Sequence, residues 1–253
     1  MIYPKYLDKN GTIGITACSA GVLKKIEKYE KSIGNVKKQG FNLLETDNVR
    51  TDGVVSGDKV TRARELESLF FNKDVDMVAI ASGGDFLYDM LTEVDFNILK
   101  DNVKWLAGSS DPTSLLYILT TKYDIATIYG HNFSSLGTEI FHKSQTDFLE
   151  IIKGNIIEQQ SYDLYEENRF ERKTGLEEYN LTEKVYWNTL DNKNVFVKGR
   201  IIGGCLDVIA EIAGTKYDGI NEFNKKYKND GIIWYFDNCE LSMEETIRTL
   251  WKL

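Results

Sequence analysis

Short, nearly continuous apolar runs alternate with stretches of helical period through the first half of this chain. Residues 11–17 (GTIGITA) read as a buried strand and 18–21 as the turn that closes it. Beyond the turn, apolar side chains recur at Val22, Ile26, Tyr29, Ile33 and Val36, a helical spacing that Gly40 stops. Further strands are expected at 41–44, 75–81, 103–108 and 125–130, with helices at 58–72, 86–91 and 112–121 between them. Strands that are apolar throughout and alternate with helices predict a parallel sheet covered on both faces.

From about Tyr162 the pattern changes. Residues 180–190 and 194–204 look like β segments with polar turns, followed by a short helix at 206–214 and a strand at 231–239. The charged, aperiodic stretch 165–180 is where we place a domain boundary. The expected fold is therefore α/β: an N-terminal parallel-sheet domain over 1–160 and the beginning of a β-rich C-terminal domain over 161–253. The last segment, 242–253, is a helix with Met243, Ile247, Leu250 and Trp251 on one face and no residue to stop it. A chain that ends inside an amphipathic helix reads as cut short, so the second domain is expected to be incomplete.

Composition narrows the functional classes. The formal net charge of -8 leaves no basic footprint for nucleic acid. No apolar run approaches the roughly 20 residues of a membrane helix, and no basic-then-apolar leader opens the chain. Cys18, Cys205 and Cys239 are few, odd in number and far apart, which predicts neither a disulfide framework nor a zinc site. A reduced, cytoplasmic setting is the expectation.

Chemistry concentrates where strands end. In AGSSDPTSLLY (107–117), Ser110 follows a strand at the edge where open α/β sheets bind ligands. Asp111 suits a helix N-cap and Pro112 a first helical residue, so the chain turns sharply there. Such a corner lifts the Ser110 hydroxyl and leaves the Asp111 N–H free to face a developing oxyanion at the positive end of a helix. By spacing alone, Ser-Asp-Pro before a helix reads more readily as a capping sequence. Gly83-Gly84 follows the neighbouring strand and permits close backbone approach to a ligand; Gly203-Gly204 repeats the device with the same ambiguity. A serine nucleophile needs a base, and the chain has two histidines. His131 follows the strand next in order to Ser110, whereas His142 lies in a polar segment. Asp237, ending the apolar run IIWYF, is either a strand-end carboxylate with a catalytic role or a cap for the final helix.

Taken together, these segments resemble the LD-carboxypeptidase family of serine peptidases, which includes the microcin-immunity peptidases. The resemblance is collinear: GTIGITACSAGV, RARELESLFFNKDVDMVAIASGGDFLYDML, WLAGSSDPTSLLYILTTKYDIATIYGHNF, GRIIGGCLDVIAEIAGT and IIWYFDNCELSMEETIRTLWKL occur in the family's order. It implies that Ser110 is the nucleophile, that the N–H groups of Gly84 and Asp111 form the oxyanion hole, and that Gly83 lies against substrate. The substrate implied is a small peptide or peptide conjugate, cut at an amide bond next to a free C-terminal carboxylate, as in a murein tetrapeptide or a microcin-type nucleotide conjugate. No metal or organic cofactor is implied, and family members commonly form homodimers. Two departures stand out. The family's triad glutamate matches Asp237, one methylene shorter, with Glu240 close by. The family's catalytic histidine belongs to a later stretch than this chain contains, and neither His131 nor His142 occupies its place. The chain is accordingly expected to be inactive alone, with a non-catalytic peptide-binding homologue as the alternative.

Overall fold

The computed structural model describes residues 1–167 and 174–253. Residues 168–173, inside the charged stretch where the boundary was placed, lie outside the described residues. The N-terminal half alternates strand and helix: β1 Thr12–Thr16, α1 Ile26–Lys38, β2 Asn42–Glu45, α2 Lys59–Phe71, β3 Met77–Ile80, α3 Phe96–Asp101, β4 Trp105–Gly108, α4 Thr113–Tyr123, β5 Ile128–Tyr129 and α5 Lys143–Ile152. All pairings within the sheet are parallel and its order is β2-β1-β3-β4-β5. The strand order reverses beside β1, so the loops after β1, β3, β4 and β5 converge at one carboxyl edge.

Why the strands are apolar on both faces is visible in how they pack. Val78, Ile80 and Leu106 point to one side, into a core with Leu66, Leu69 and Phe70 of α2 and Leu115 and Leu119 of α4. Their neighbours Met77, Ala79, Trp105 and Ala107 point to the other, against Tyr29 and Val36 of α1 and Phe148, Leu149 and Ile152 of α5. Helix α4 is buried from Thr113 to Thr121 on every side. A helix without a polar face needs cover all round, and the C-terminal segment supplies it.

That segment contains β6 Leu164–Tyr165, β7 Glu183–Lys184, β8 Arg200–Cys205, α6 Leu206–Ile212, α7 Ile220–Lys226, β9 Ile232–Asp237 and α8 Met243–Lys252. Strands β8 and β9 pair in parallel, Gly203 opposite Tyr235 and Cys205 opposite Asp237. Ile202 of β8, Ile209 and Ile212 of α6, and Ile220 and Phe223 of α7 join the same apolar core as Leu115 and Leu119. Tyr117 of α4 stacks on Trp234 of β9 with ring centroids 6.4 Å apart.

Several elements differ from the expected ones. The helix at 86–91 is a 3-10 turn at Tyr88–Thr92, and the strand at 125–130 joins the sheet only at Ile128 and Tyr129, on its edge, with a separate parallel bridge from Ile125 to Ile2. Within 180–190 only Glu183–Lys184 is strand, and within 194–204 only Arg200–Cys205. Trp187, Leu190 and Phe196 are exposed there, so these apolar side chains have no core to align a longer ladder against. Helix α5 went unpredicted; His142 and Gln145 open it with a capping box, an unusual pairing for that role. Among the described residues no helix is long and apolar enough to cross a membrane.

Candidate active site

Ser110 lies at the β4–α4 corner with φ +65°, a conformation that few residues other than glycine adopt. The corner is braced from several sides. Asn132, just past β5, pairs its carboxamide with the Ser109 backbone: Oδ1 accepts from the Ser109 N–H at 3.0 Å and Nδ2 donates to the Ser109 carbonyl at 3.1 Å. The Thr113 N–H donates to the Ser110 carbonyl at 2.8 Å. Ser110 is exposed, and its hydroxyl makes no hydrogen bond among the described residues.

Asp111 does not cap α4 with its side chain, contrary to the reading from sequence. Pro112 occupies the cap position without a side-chain bond, and the buried Asp111 carboxylate turns away from the helix. Its Oδ2 accepts from the Ser19 hydroxyl, in the loop after β1, and from the Leu87 N–H at 2.9 Å. Burial raises the carboxyl pKa above its ordinary value, against the lowering effect of these two donors. The carboxylate thus ties the loops after β1 and β3 to the start of α4, while the Asp111 N–H makes no hydrogen bond among the described residues.

Gly83 and Gly84 lie in the loop after β3. A Cβ on Gly83 would stand 3.5 Å from the Ser110 Cβ, which places this backbone beside the corner. Gly84 has φ +154°, and a Cβ there would come within 2.3 Å of Ser19 Oγ. Its N–H also makes no hydrogen bond among the described residues. Beneath the loop, the buried guanidinium of Arg62 donates to the carbonyls of Gly57, Cys18 and Phe86 and to Asp89 Oδ1. Arg62 was not singled out from sequence; a lone arginine in a charged helix gives no sign of burial.

Asp237 reaches the same place from β9. Its Oδ1 accepts from the Tyr129 hydroxyl at 2.6 Å, and that hydroxyl accepts from the Ser110 N–H at 3.1 Å. The structure therefore gathers Ser110, Gly83, Gly84, Asp111 and Asp237 at one edge. Asp237 does not cap the last helix, whose N-cap is Ser242 in a capping box with Glu245. The loop after β9 is held by Asp207, whose carboxylate accepts from the N–H groups of Cys239, Glu240 and Leu241.

The histidines face elsewhere. His131 Nε2 is 3.2 Å from Ser144 Oγ and its ring meets Phe148 edge-on. Burial lowers its pKa below the ordinary imidazole value. His142 accepts from the Ser144 N–H as the cap of α5. Among the described residues no three His, Cys, Asp or Glu side chains gather as a metal site requires. A groove of about 750 Å³, lined by Tyr3, Trp105, Tyr117, Arg200 and Gly203 among others, includes none of Ser110, Gly83, Gly84, Asp111 and Asp237.

Residues 13–130, which hold β1 to β5 and the Ser110 corner, match the LD-carboxypeptidase N-terminal domain family. A Vibrio cholerae protein named as a carboxypeptidase is 27% identical over 229 residues, covering 86% of this chain and 66% of that one. The microcin C7 self-immunity protein MccF of Escherichia coli is 25% identical over 227 residues, covering 81% of this chain and 62% of that one. The chain thus spans just under two thirds of the length of these relatives. The MccF-like protein of Bacillus anthracis superposes with a TM-score of 0.85 at 21% identity, over 99% of this chain and 75% of its own. A structure of MccF with aspartyl sulfamoyl adenosine superposes with a TM-score of 0.74 at 21% identity, over 100% of this chain and 86% of its own. These structural likenesses extend the mixed α/β architecture through the C-terminal segment.

Proposed function

We propose that this chain carries the nucleophilic half of a serine hydrolase of the LD-carboxypeptidase type. The observation that carries the reading is the Ser110 corner. A free, exposed hydroxyl at φ +65° stands next to two unbonded N–H groups, those of Gly84 and Asp111. Ser110 Oγ would attack the carbonyl carbon of an amide. The oxyanion formed would take the two N–H groups, with the positive end of α4 behind Asp111. Gly83 lets substrate approach the corner closely, and Asp237 is the carboxylate that would orient and charge-balance a base. The amide in question adjoins a free C-terminal carboxylate, in a murein tetrapeptide or a peptidyl or aminoacyl nucleotide conjugate. Support for a small peptide-like substrate comes from the aminoacyl sulfamoyl nucleoside bound by MccF.

Among the described residues the Ser110 hydroxyl has no hydrogen-bond acceptor, and both histidines are bonded to the α5 region. We therefore expect negligible turnover by the 253-residue chain, since the oxyanion hole and binding alone supply only a small part of such catalysis. The same observation favours a second reading, a homologue that binds peptides without cutting them. A fluorophosphonate probe and a murein tetrapeptide separate the possibilities. Slow labelling that Ser110→Ala abolishes, without turnover, is expected. Turnover abolished by Ser110→Ala would make His131 the base, and absence of any Ser110 labelling would favour the binding protein.

A further inference from the structure

Tyr129 was not among the residues chosen from sequence, yet it touches both ends of the candidate site. It is the last residue of β5 and lies in register with Gly108 of β4, two residues before Ser110. From there its ring meets Tyr235 of β9 with centroids 5.7 Å apart. Positions 235 and 237 share a face of β9 by the two-residue repeat of a strand. The ring therefore packs on the first of them while the hydroxyl reaches the carboxylate of the second.

We propose that Tyr129 is a positioning residue of the Ser110 site, its hydroxyl fixing the nucleophile's backbone and the Asp237 carboxylate relative to one another. The inference rests on the serine-hydrolase reading for its purpose, and on two hydrogen bonds for its geometry: Ser110 N–H to Tyr129 Oη at 3.1 Å and Tyr129 O–H to Asp237 Oδ1 at 2.6 Å. A phenol has one proton to give. Since it goes to Asp237, the oxygen can only accept from Ser110. Burial and then the bond to Asp237 push the phenol pKa upward, so the proton stays on Tyr129. Tyr129 is thereby neither the base for Ser110 Oγ nor an oxyanion donor.

Two consequences follow from the direction of these bonds. The Ser110 N–H is occupied, which leaves Gly84 and Asp111 as the N–H donors for an oxyanion. Asp237 keeps Oδ2 without a hydrogen bond among the described residues, open to an imidazole brought to the cleft. Tyr129 also helps hold Ser110 at its positive φ, a conformation that persists where the surroundings over-determine it.

The decisive variant is Tyr129→Phe, which keeps the ring against Tyr235 and removes only the oxygen. Amide hydrogen exchange of Ser110, referenced to Ala107 in β4, reads the first bond directly. We expect that ratio to rise roughly five- to tenfold in the variant, the size of one hydrogen bond. Fluorophosphonate labelling of Ser110 should slow by a similar factor while the melting temperature stays close to that of the parent. An unchanged exchange ratio overturns the positioning role, whatever labelling shows. If the parent never labels but the ratio shifts in the variant, the hydrolase reading falls and the positioning role stands.

Discussion

The molecule has two glycine pairs, one past the end of a strand and one within a strand, and they meet different surroundings. Gly83-Gly84 lies past the end of β3, in a loop that opens onto Ser110. Gly203-Gly204 lies inside β8, where φ values of +158° and +136° let the strand press against two neighbours at once. A Cβ at Gly203 would sit 1.7 Å from the Tyr235 carbonyl, and one at Gly204 would sit 2.7 Å from Thr113 Cγ2. The first pair lies against the Ser110 corner, where the proposed function puts the substrate. The second brings β9, and with it Asp237, up to the start of α4. On the proposed function, identical dipeptides would serve recognition in one place and packing in the other, with the packing pair bringing Asp237 to the Ser110 corner.

This contrast can be broken from either side. Gly203→Ala should do the most damage, because both the φ and the backbone of Tyr235 refuse a side chain. We expect a loss of about 3 kcal/mol or more in urea denaturation; a loss under about 1 kcal/mol would mean that β8 and β9 are not pressed together as described. Gly84→Ala comes next, at about 2 kcal/mol, since Ser19 must swing aside and drop its bond to Asp111. Asp111→Ala should cost about 1 to 3 kcal/mol by leaving the Ser19 hydroxyl and Leu87 N–H without an acceptor, while Asp111→Asn retains one and should cost less.

Smaller effects sharpen the picture further. His131 has a lowered pKa in the fold, so the unfolded chain binds its proton more readily than the folded one. Its contribution is full above the ordinary imidazole value and is lost as pH falls through the lower folded value. His131→Gln should accordingly flatten the decline in stability on mild acidification, measured as melting temperature against pH. A parallel decline in variant and parent would show that the imidazole is not held neutral by burial. Gly83→Ala is expected to change stability by less than about 0.5 kcal/mol, because its neighbours stand at ordinary contact distance. It should nonetheless slow probe labelling of Ser110 several-fold by placing a methyl group beside the Ser110 side chain. Equal labelling rates would remove Gly83 from the substrate path.

Much of the N-terminal half was readable in advance, for a definite reason. Strands buried on both faces must be apolar throughout, and helices packed on one face must repeat near every 3.6 residues, so β1, β3, β4, α1 and α2 announce themselves, while α4 is marked by Pro112 at its start. The corner at Ser110 was visible too, as a small-residue turn between an apolar run and a helix start. The purpose of Asp111 was misread, because a capping residue and a buried bridge between loops have the same local sequence. Which of them forms depends on Ser19 and Leu87, 92 and 24 residues away.

What the amino-acid order determined by itself was the alternation, the parallel sheet and the place where chemistry could stand, since all of these follow from local period and turn chemistry. Tertiary structure alone decided which polar groups meet there. Tyr129 and Asp237 are 108 residues apart. Nothing within either segment predicts the other, and only the packing of β9 beside α4 and β5 turns an edge tyrosine into the link between a strained serine and its carboxylate.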